Sequence, residues 1–252
     1  MSSWDALARE CEAWEAAGRA VELWWRDDDA VADTAALRAL LALATIPVAL
    51  AVIPARLEPS LPTLLKGQGS VSVLQHGFDH QNRAPAGGKK SEFPVTRSWP
   101  EVAGTLVQGR ERLANAFGGQ FVPALTPPWN RIDPRHADQL GSLGYRGLST
   151  YLPRKRPAAA GVTQVNTHVD VIDWHGTRGF LGLKPTLQLL VQHLAAKRLG
   201  QADPTEATGL LTHHLVHDTE TGKFLGALLD WCAKRPVIKW RSAADLFPGA
   251  GS

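Results

Sequence analysis

Carboxylate and imidazole side chains gather in a few short stretches of this sequence. Asp27-Asp28-Asp29 follows Arg26, His76 and His80 are separated by three residues, and His213-His214 is followed by His217. Five of the nine histidines lie in these two clusters. Histidines at i and i+4 stand about one turn apart, with both imidazoles on one side. One carboxylate and two imidazoles form a facial set of O and N donors, and borderline cations such as Zn²⁺ accept it with coordination positions left open. A cation held this way polarises a carbonyl and acidifies water. A spare carboxylate can take the water's proton, and a histidine opposite can protonate a leaving amine. That is the chemistry of an amide or ester hydrolase.

Each cluster also has a plain structural reading. Asp27–Asp29 precede a helical pattern and could cap it. His76 and His80 could be two loop histidines. Of the adjacent strand residues His213 and His214, one must face away from any site. Pro127-Pro128 reads first as a rigid turn, and Asp173-Trp174 as a loop acid beside a core aromatic. His136, His168 and His193 lie outside the clusters and read as surface or core residues. What sets the plain readings back is where the polar groups fall along the chain.

Helical periodicity predicts helices over Trp4–Ala17, Thr34–Ala44, Trp99–Phe117, Pro134–Leu143, Thr186–Leu199 and Thr219–Ala233. Between them, apolar or β-branched runs predict buried strands at Val21–Trp25, Pro47–Ile53, Ser70–Leu74, Phe121–Leu125, Gly147–Thr150, His168–Ile172 and Gly209–Thr212. The alternation argues for βα units around a parallel sheet, and about seven repeats suit a closed or nearly closed barrel. Five strands end in polar groups: Arg26–Asp29, His76–His80, Pro127–Arg131, Asp173–His175 and His213-His214. Active sites of parallel α/β folds assemble at these carboxyl ends, where the βα loops converge. The Pro/Gly-rich stretches Asn82–Pro100 and Pro153–Gly161 read as loop insertions over one face.

The rest of the sequence excludes several classes. With 252 residues, 44% hydrophobic and 20% charged, the chain is neither disordered, collagenous nor coiled coil. Twenty-seven basic against 24 acidic residues give a net charge of +3, and the basic residues form no stripe interleaved with aromatics. Nucleic acid is therefore not expected as a partner. Cys11 and Cys232 stand at opposite ends and make no disulfide framework. The apolar run Ala39–Ile53 is broken by Thr45 and Pro47, too short for a transmembrane helix. Asp5, Glu10, Glu12 and Glu15 do not suit a signal peptide, so a cytoplasmic protein is expected.

The five strand-end segments, in this order, resemble the polysaccharide deacetylase family (carbohydrate esterase family four, the nodulation-deacetylase homology domain). Arg26-Asp-Asp-Asp-Ala30 resembles its first motif, His76-Gly-Phe-Asp-His80 its second, and Thr126-Pro-Pro-Trp-Asn130 its third. Asp170-Val-Ile-Asp-Trp174 is similar to the fourth, with Asp173 as its acid, and Leu210-Leu-Thr-His-His214 to the fifth. The resemblance implies an α/β fold, a distorted (β/α)7 barrel. One domain over residues 1–252 is expected, with an N-terminal helix at 3–18 and the motif-bearing barrel at about 20–247. It further implies metal-dependent removal of an acetyl group from an N-acetylated, less often O-acetylated, sugar. Asp29, His76 and His80 would hold one divalent ion, Zn²⁺ before Co²⁺, Ni²⁺ or Mn²⁺. Asp28 would be the base, His214 the acid, and the backbone N–H of Trp129 an oxyanion donor. Three consecutive aspartates leave Asp27 open as the base.

This sequence departs from the family pattern in the third motif, where Thr126 and Asn130 stand for an arginine and a glycine. Like charges in contact oppose one another, so the three aspartates need a cation. Arg26 neighbours Asp27 on one strand, where adjacent side chains point to opposite faces. Arg131, after the Pro-Pro turn, is therefore expected to supply the guanidinium. Without a signal peptide, a nucleotide- or lipid-linked acetylated sugar suits better than an external polymer, and a small cyclic amide stays open. Two readings compete from other classes: an inactive carbohydrate-binding relative, and an Fe(II)-dependent oxygenase. The latter needs two histidines and one carboxylate but expects a double-stranded β-helix.

Overall fold

The apolar run after residue 20 starts a strand that does not stop where its hydrophobicity stops. In the computed structural model, which describes residues 3–159 and 161–248, β1 spans Val21–Ala30 and carries Arg26, Asp27, Asp28 and Asp29 within the sheet. The remaining positions of the 1–252 domain expectation lie outside the described residues. α1 (Ser3–Ala16) precedes β1, and α2 (Ala35–Leu43) follows it with Thr34 as N-cap, its side chain accepting from Leu37 N–H. The three aspartates therefore do not cap that helix.

Next come β2 (Val48–Val52), a short α3 (Ser60–Leu65) absent from the sequence reading, and β3 (Val71–His76). α4 (Trp99–Phe117) runs over the residues its periodicity predicts, and β4 (Phe121–Thr126) follows. The expected helix Pro134–Leu143 is divided into α5 (Pro134–Ala137) and a 3-10 turn at Leu140–Leu143, ended by left-handed Gly144. β5 (Gly147–Leu148) precedes a small hairpin of β6 (Ala158–Ala159) and β7 (Val162–Gln164) in and beside the stretch read as an insertion. The chain ends with β8 (Val169–Asp170), α6 (Leu183–Arg198), β9 (Thr208–Thr212), α7 (Thr219–Ala233), β10 (Ile238–Trp240) and α8 (Ala243–Leu246). Among the described residues, no helix is long and apolar enough to cross a membrane.

The strand order is β6-β7-β5-β4-β3-β2-β1-β9-β8, parallel throughout except for the β6–β7 hairpin, with β10 on β1. One stretch of chain closes the ring. Val162–Gln164 pairs with β5, Thr167 N–H donates to Thr150 O, and His168 N–H donates to Gly209 O as Val169–Asp170 joins β9. Because β7 and β8 are two ends of one run, the strands occupy seven positions of a distorted (β/α)7 barrel. Among the described residues there is no double-stranded β-helix of the kind expected of an Fe(II) oxygenase.

Strand alternation then sorts the side chains. Trp24, Ala49, Leu74, Ala124 and Phe247 share an inner core, while Trp25, Leu50, Val73 and Leu210 pack outward with α1, α2, α6 and α7. Phe247 plugs the barrel floor: a Cβ on Gly147 would come within 2.3 Å of its ring, so only glycine fits there. Arg26 and Asp28 follow Trp24 at two-residue steps and share its inward face; Asp27 follows Trp25 outward.

Candidate active site

Asp29 reaches the barrel mouth through an irregularity in β1. Between Asp27 and Ala30 the register with β2 shifts, so that three steps of β1 oppose two of β2, and Asp29 has φ of 73°. A left-handed non-glycine residue is uncommon and costs energy that surrounding structure must sustain. The bulge breaks the alternation, and Asp28 and Asp29 are both free to face the mouth.

Asp29 Oδ1 lies 3.2 Å from His76 Nε2 and 3.4 Å from His80 Nε2. The ligand atoms of the three residues all lie within 4.8 Å of one another. His76 Nδ1–H donates to Thr126 O at 2.9 Å, which leaves the Nε2 lone pair facing a carboxylate oxygen. Asp29 Oδ1 is buried without a hydrogen-bond partner. Lone pairs converging on a buried orphan oxygen fit a cation between them, and the Nδ1–carbonyl bond is the usual way a ligating histidine is oriented. Burial opposes charge on Asp29, but His76, His213 and His80 hold its carboxyl far below the usual range. Burial likewise lowers His76, yet the Asp28 and Asp29 carboxylates outweigh it and raise the imidazole. For His80, burial and the neighbouring His76 win, and its basicity falls.

The loop bearing His80 hangs on a residue the sequence reading missed. Glu92 is 1% exposed; its Oε1 accepts from Phe78 and Asp79 N–H and its Oε2 from His80 N–H. Burial pushes its carboxyl up to about 7. His80 has φ of 58°, and a Cβ on Gly77 would stand 2.2 Å from Glu92 Oε2. The segment Asn82–Pro100 is thus a brace for the second motif. Its own apolar anchor is Phe93, fully buried beneath α4.

The guanidinium on the carboxylates belongs to Arg26, and the expectation for Arg131 is corrected. Arg26 Nε and Nη2 grip Asp28 Oδ1 and Oδ2 at 2.8 and 3.0 Å. Its other donors reach Ser149 Oγ, the Ser149 and Thr150 carbonyls, and Asn130 Oδ1 at 2.6 Å. Arg26 neighbours Asp27 in sequence but shares a face with Asp28. Arg131 is exposed and donates to Lys90 O.

The two adjacent histidines also divide differently from the expectation. His214 lies on the outward face, where Nδ1–H donates to Asp27 Oδ1 at 2.5 Å and N–H to Asp27 Oδ2 at 3.0 Å. Thr212 Oγ donates to the same Asp27 Oδ2 and accepts from Trp25 Nε1. Asp27 and His214 are therefore a closed buried pair tying β1 to β9, each spent on the other, which corrects both as acid and base. His213 faces the mouth, with Nε2 3.9 Å from Asp28 Oδ2 and its ring 4.7 Å edge-on from Trp174. Asp173 is likewise corrected: its oxygens accept from Gly176 and Thr177 N–H and shape their own loop. The fourth-motif acid near His213 is Asp170, which burial raises, His213 lowers, and Trp174 Nε1–H bonds at 2.8 Å.

Trp129 closes the mouth, its ring 4.5 Å from that of His80. It and Asn130 have φ of 55° and 56°, so the loop after Pro128 turns left-handed twice beside the site. A second group, His168, His193 and Glu206, is buried at the opposite end of the barrel. His168 Nδ1 accepts from Gly209 N–H, which puts its ring proton on Nε2 toward Glu206. With His168 Nδ1 and His193 Nδ1 engaged by Gly209 N–H and Thr208 Oγ1 and the two rings stacked 3.5 Å apart, the group is part of the core, as expected for His168 and His193.

No protein-family profile and no curated protein sequence matches the chain. Solved structures do. A peptidoglycan N-acetylglucosamine deacetylase in complex with a naphthyl N-oxidanyl-benzamide has TM-score 0.58 at 14% identity, over 92% of this chain and 90% of that one. A peptidoglycan deacetylase from Bacillus subtilis gives 0.56 at 13%, over 90% of both. A family 4 acetyl xylan esterase from Clostridium thermocellum, in complex with a cobalt ion, gives 0.54 at 13%, again over 90% of both. The chain accordingly has the fold of the family 4 carbohydrate esterases and polysaccharide deacetylases.

Proposed function

We propose that this protein is a metal-dependent hydrolase that removes the acetyl group of an N-acetylated sugar. The observation that carries this reading is the meeting, at one barrel mouth, of the Asp29–His76–His80 donor set with Asp28 and His213. Structural neighbours that act on acetylated carbohydrates support it, one of them with cobalt bound. Asp29, His76 and His80 would hold the cation, Zn²⁺ in first place. A divalent ion there supplies Lewis acidity, which polarises the acetyl carbonyl and eases deprotonation of water.

The chain's own groups supply the proton transfers. Asp28, its plane fixed by the Arg26 fork, accepts a proton from the attacking water. The hydroxyl oxygen bonds to the acetyl carbon, and the Trp129 backbone N–H would bond the carbonyl oxygen as charge builds. His213 then delivers a proton to the amide nitrogen as the C–N bond breaks, giving acetate and the free amine. Trp174 packs edge-on against the His213 ring, and Asp170 holds the Trp174 indole N–H.

The test is acetate release by zinc-reconstituted protein from a panel of N- and O-acetylated sugars. Turnover is expected on an N-acetylated member, and Asp28→Asn should abolish it with zinc still bound. Absence of turnover on the whole panel, or wild-type turnover by Asp28→Asn, overturns the reading.

A further inference from the structure

We infer that the sugar carries a phosphate or pyrophosphate group, and that a cationic groove beside the site binds it. The inference rests on the deacetylase reading, whose substrate class it narrows. A groove of about 650 Å³ is lined by Asn130, Arg131, Thr150, Lys155 and Arg156, among others. Asn130 and Thr150 both accept hydrogen bonds from Arg26, so the inner end of the groove abuts the Arg26–Asp28 pair.

The charges in and around this groove are unbalanced. Arg156 is paired with Asp138, and Arg154 with Asp203 at 2.9 Å. Asp133, in the groove wall, is engaged by Arg135. Arg131, Lys155 and Lys90 have no carboxylate within ion-pair distance among the described residues. Among the described residues the Arg131 guanidinium donates to Lys90 O alone, and Lys90 Nζ lies 6.0 Å from the Trp129 ring at the site's edge. Arg131 and Lys155 thus line the groove and Lys90, next to the lining residue Ser91, stands beside Trp129 at its edge, while the neighbouring arginines are neutralised. A neutral acetylated glycan offers three unpaired cations hydroxyl and carbonyl acceptors but no opposite charge. A phosphate offers oxygens to all of them, and an arginine fork suits its geometry.

The experiment uses zinc-loaded Asp28→Asn protein, so that binding is measured without turnover. Calorimetric titration compares N-acetylglucosamine 1-phosphate with methyl N-acetylglucosaminide. The phosphorylated sugar should bind at least about tenfold tighter at low salt, an advantage that shrinks with ionic strength. In Arg131→Gln/Lys155→Gln protein that advantage should largely vanish. An advantage that persists undiminished in the double variant would place the phosphate on the metal instead and overturn the inference, as would no advantage at all. Further arms with a uridine-diphosphate-linked and a detergent-dispersed isoprenoid-diphosphate-linked N-acetyl sugar tell which source supplies the phosphate. Acetate release by the wild type separates the two readings. Groove-dependent binding with no acetate from any sugar defeats the deacetylase reading alone, and turnover with indifference to phosphate defeats the groove alone.

Discussion

Arg26 and Asp28 stand two residues apart on β1 and join by two parallel hydrogen bonds of 2.8 and 3.0 Å, both side chains buried. Strand alternation puts residues i and i+2 on one face, so the proposed base and its cation come from one short sequence. Arg26→Lys keeps the charge but loses the fork and the bonds to Ser149 and Asn130. Turnover should fall by about tenfold or more, with zinc content retained, because orientation of the base is lost. Arg131→Lys should not reproduce this drop on a neutral sugar. Equal losses in the two variants would return the positioning role to Arg131.

His213 and His214 should fail in different ways when removed. His213→Ala is expected to lower turnover by about 10²–10⁴-fold while the unfolding midpoint barely moves, as for loss of a general acid. His214→Ala strands the Asp27 carboxylate in the core, and breaking a buried pair costs about 3–5 kcal/mol. Denaturant unfolding beside steady-state rates separates the outcomes. A stable but inactive His214→Ala protein would reverse the assignment.

Glu92 should control metal affinity without touching the metal. Glu92→Gln puts an amide NH₂ against backbone N–H groups that now face carboxylate oxygens, and the loop carrying His80 loses its brace. Zinc affinity, measured by competition with a chromophoric chelator, should fall by about 10–100-fold, the usual cost of removing an outer partner of a ligand. Gly77→Ala should act in the same direction, since its Cβ meets Glu92 Oε2 and Pro128 Cδ at 2.2 and 2.6 Å. Unaltered zinc affinity in both would show that the loop holds itself.

The buried pair at the barrel floor predicts acid sensitivity. Burial, with His168 and Lys197 near, pushes His193 down to about 2, and His168 moves the same way by its own burial. The folded imidazole stays neutral while the unfolded one protonates below its ordinary value of 6.5. Its stabilising contribution is therefore complete above that value and shrinks as pH falls toward 2, by at most about 1.4 kcal/mol per pH unit for one proton. His193→Gln, which keeps a donor for Thr208 Oγ1, should lose less stability than the wild type between about pH 7 and pH 4.5. Parallel urea midpoints for both proteins at those two pH values check the slope.

The sequence by itself determined the alternating βα order, the barrel, and the segments that meet at the strand ends. Those follow from periodicity and from where apolar runs give way to polar residues, both local properties of the chain. It also marked Asp29, His76 and His80, which close a strand and the segment after another, and the fold brings their ligand atoms within 4.8 Å of one another across the intervening β2. Which way each acid and histidine points was decided only in three dimensions. The bulge at Asp29 depends on how β1 meets β2, and it overrides the alternation that would have turned Asp29 outward beside Asp27. Whether His213 or His214 enters the site depends on the register of β9 against β1, where Asp27 opposite Thr212 already holds the outward face. Glu92 was invisible, and the fourth motif pointed to Asp173 in place of Asp170, for a similar reason: a single buried carboxylate acquires its role from the backbone N–H groups or side chains that folding brings to it, and no spacing in the chain encodes those partners.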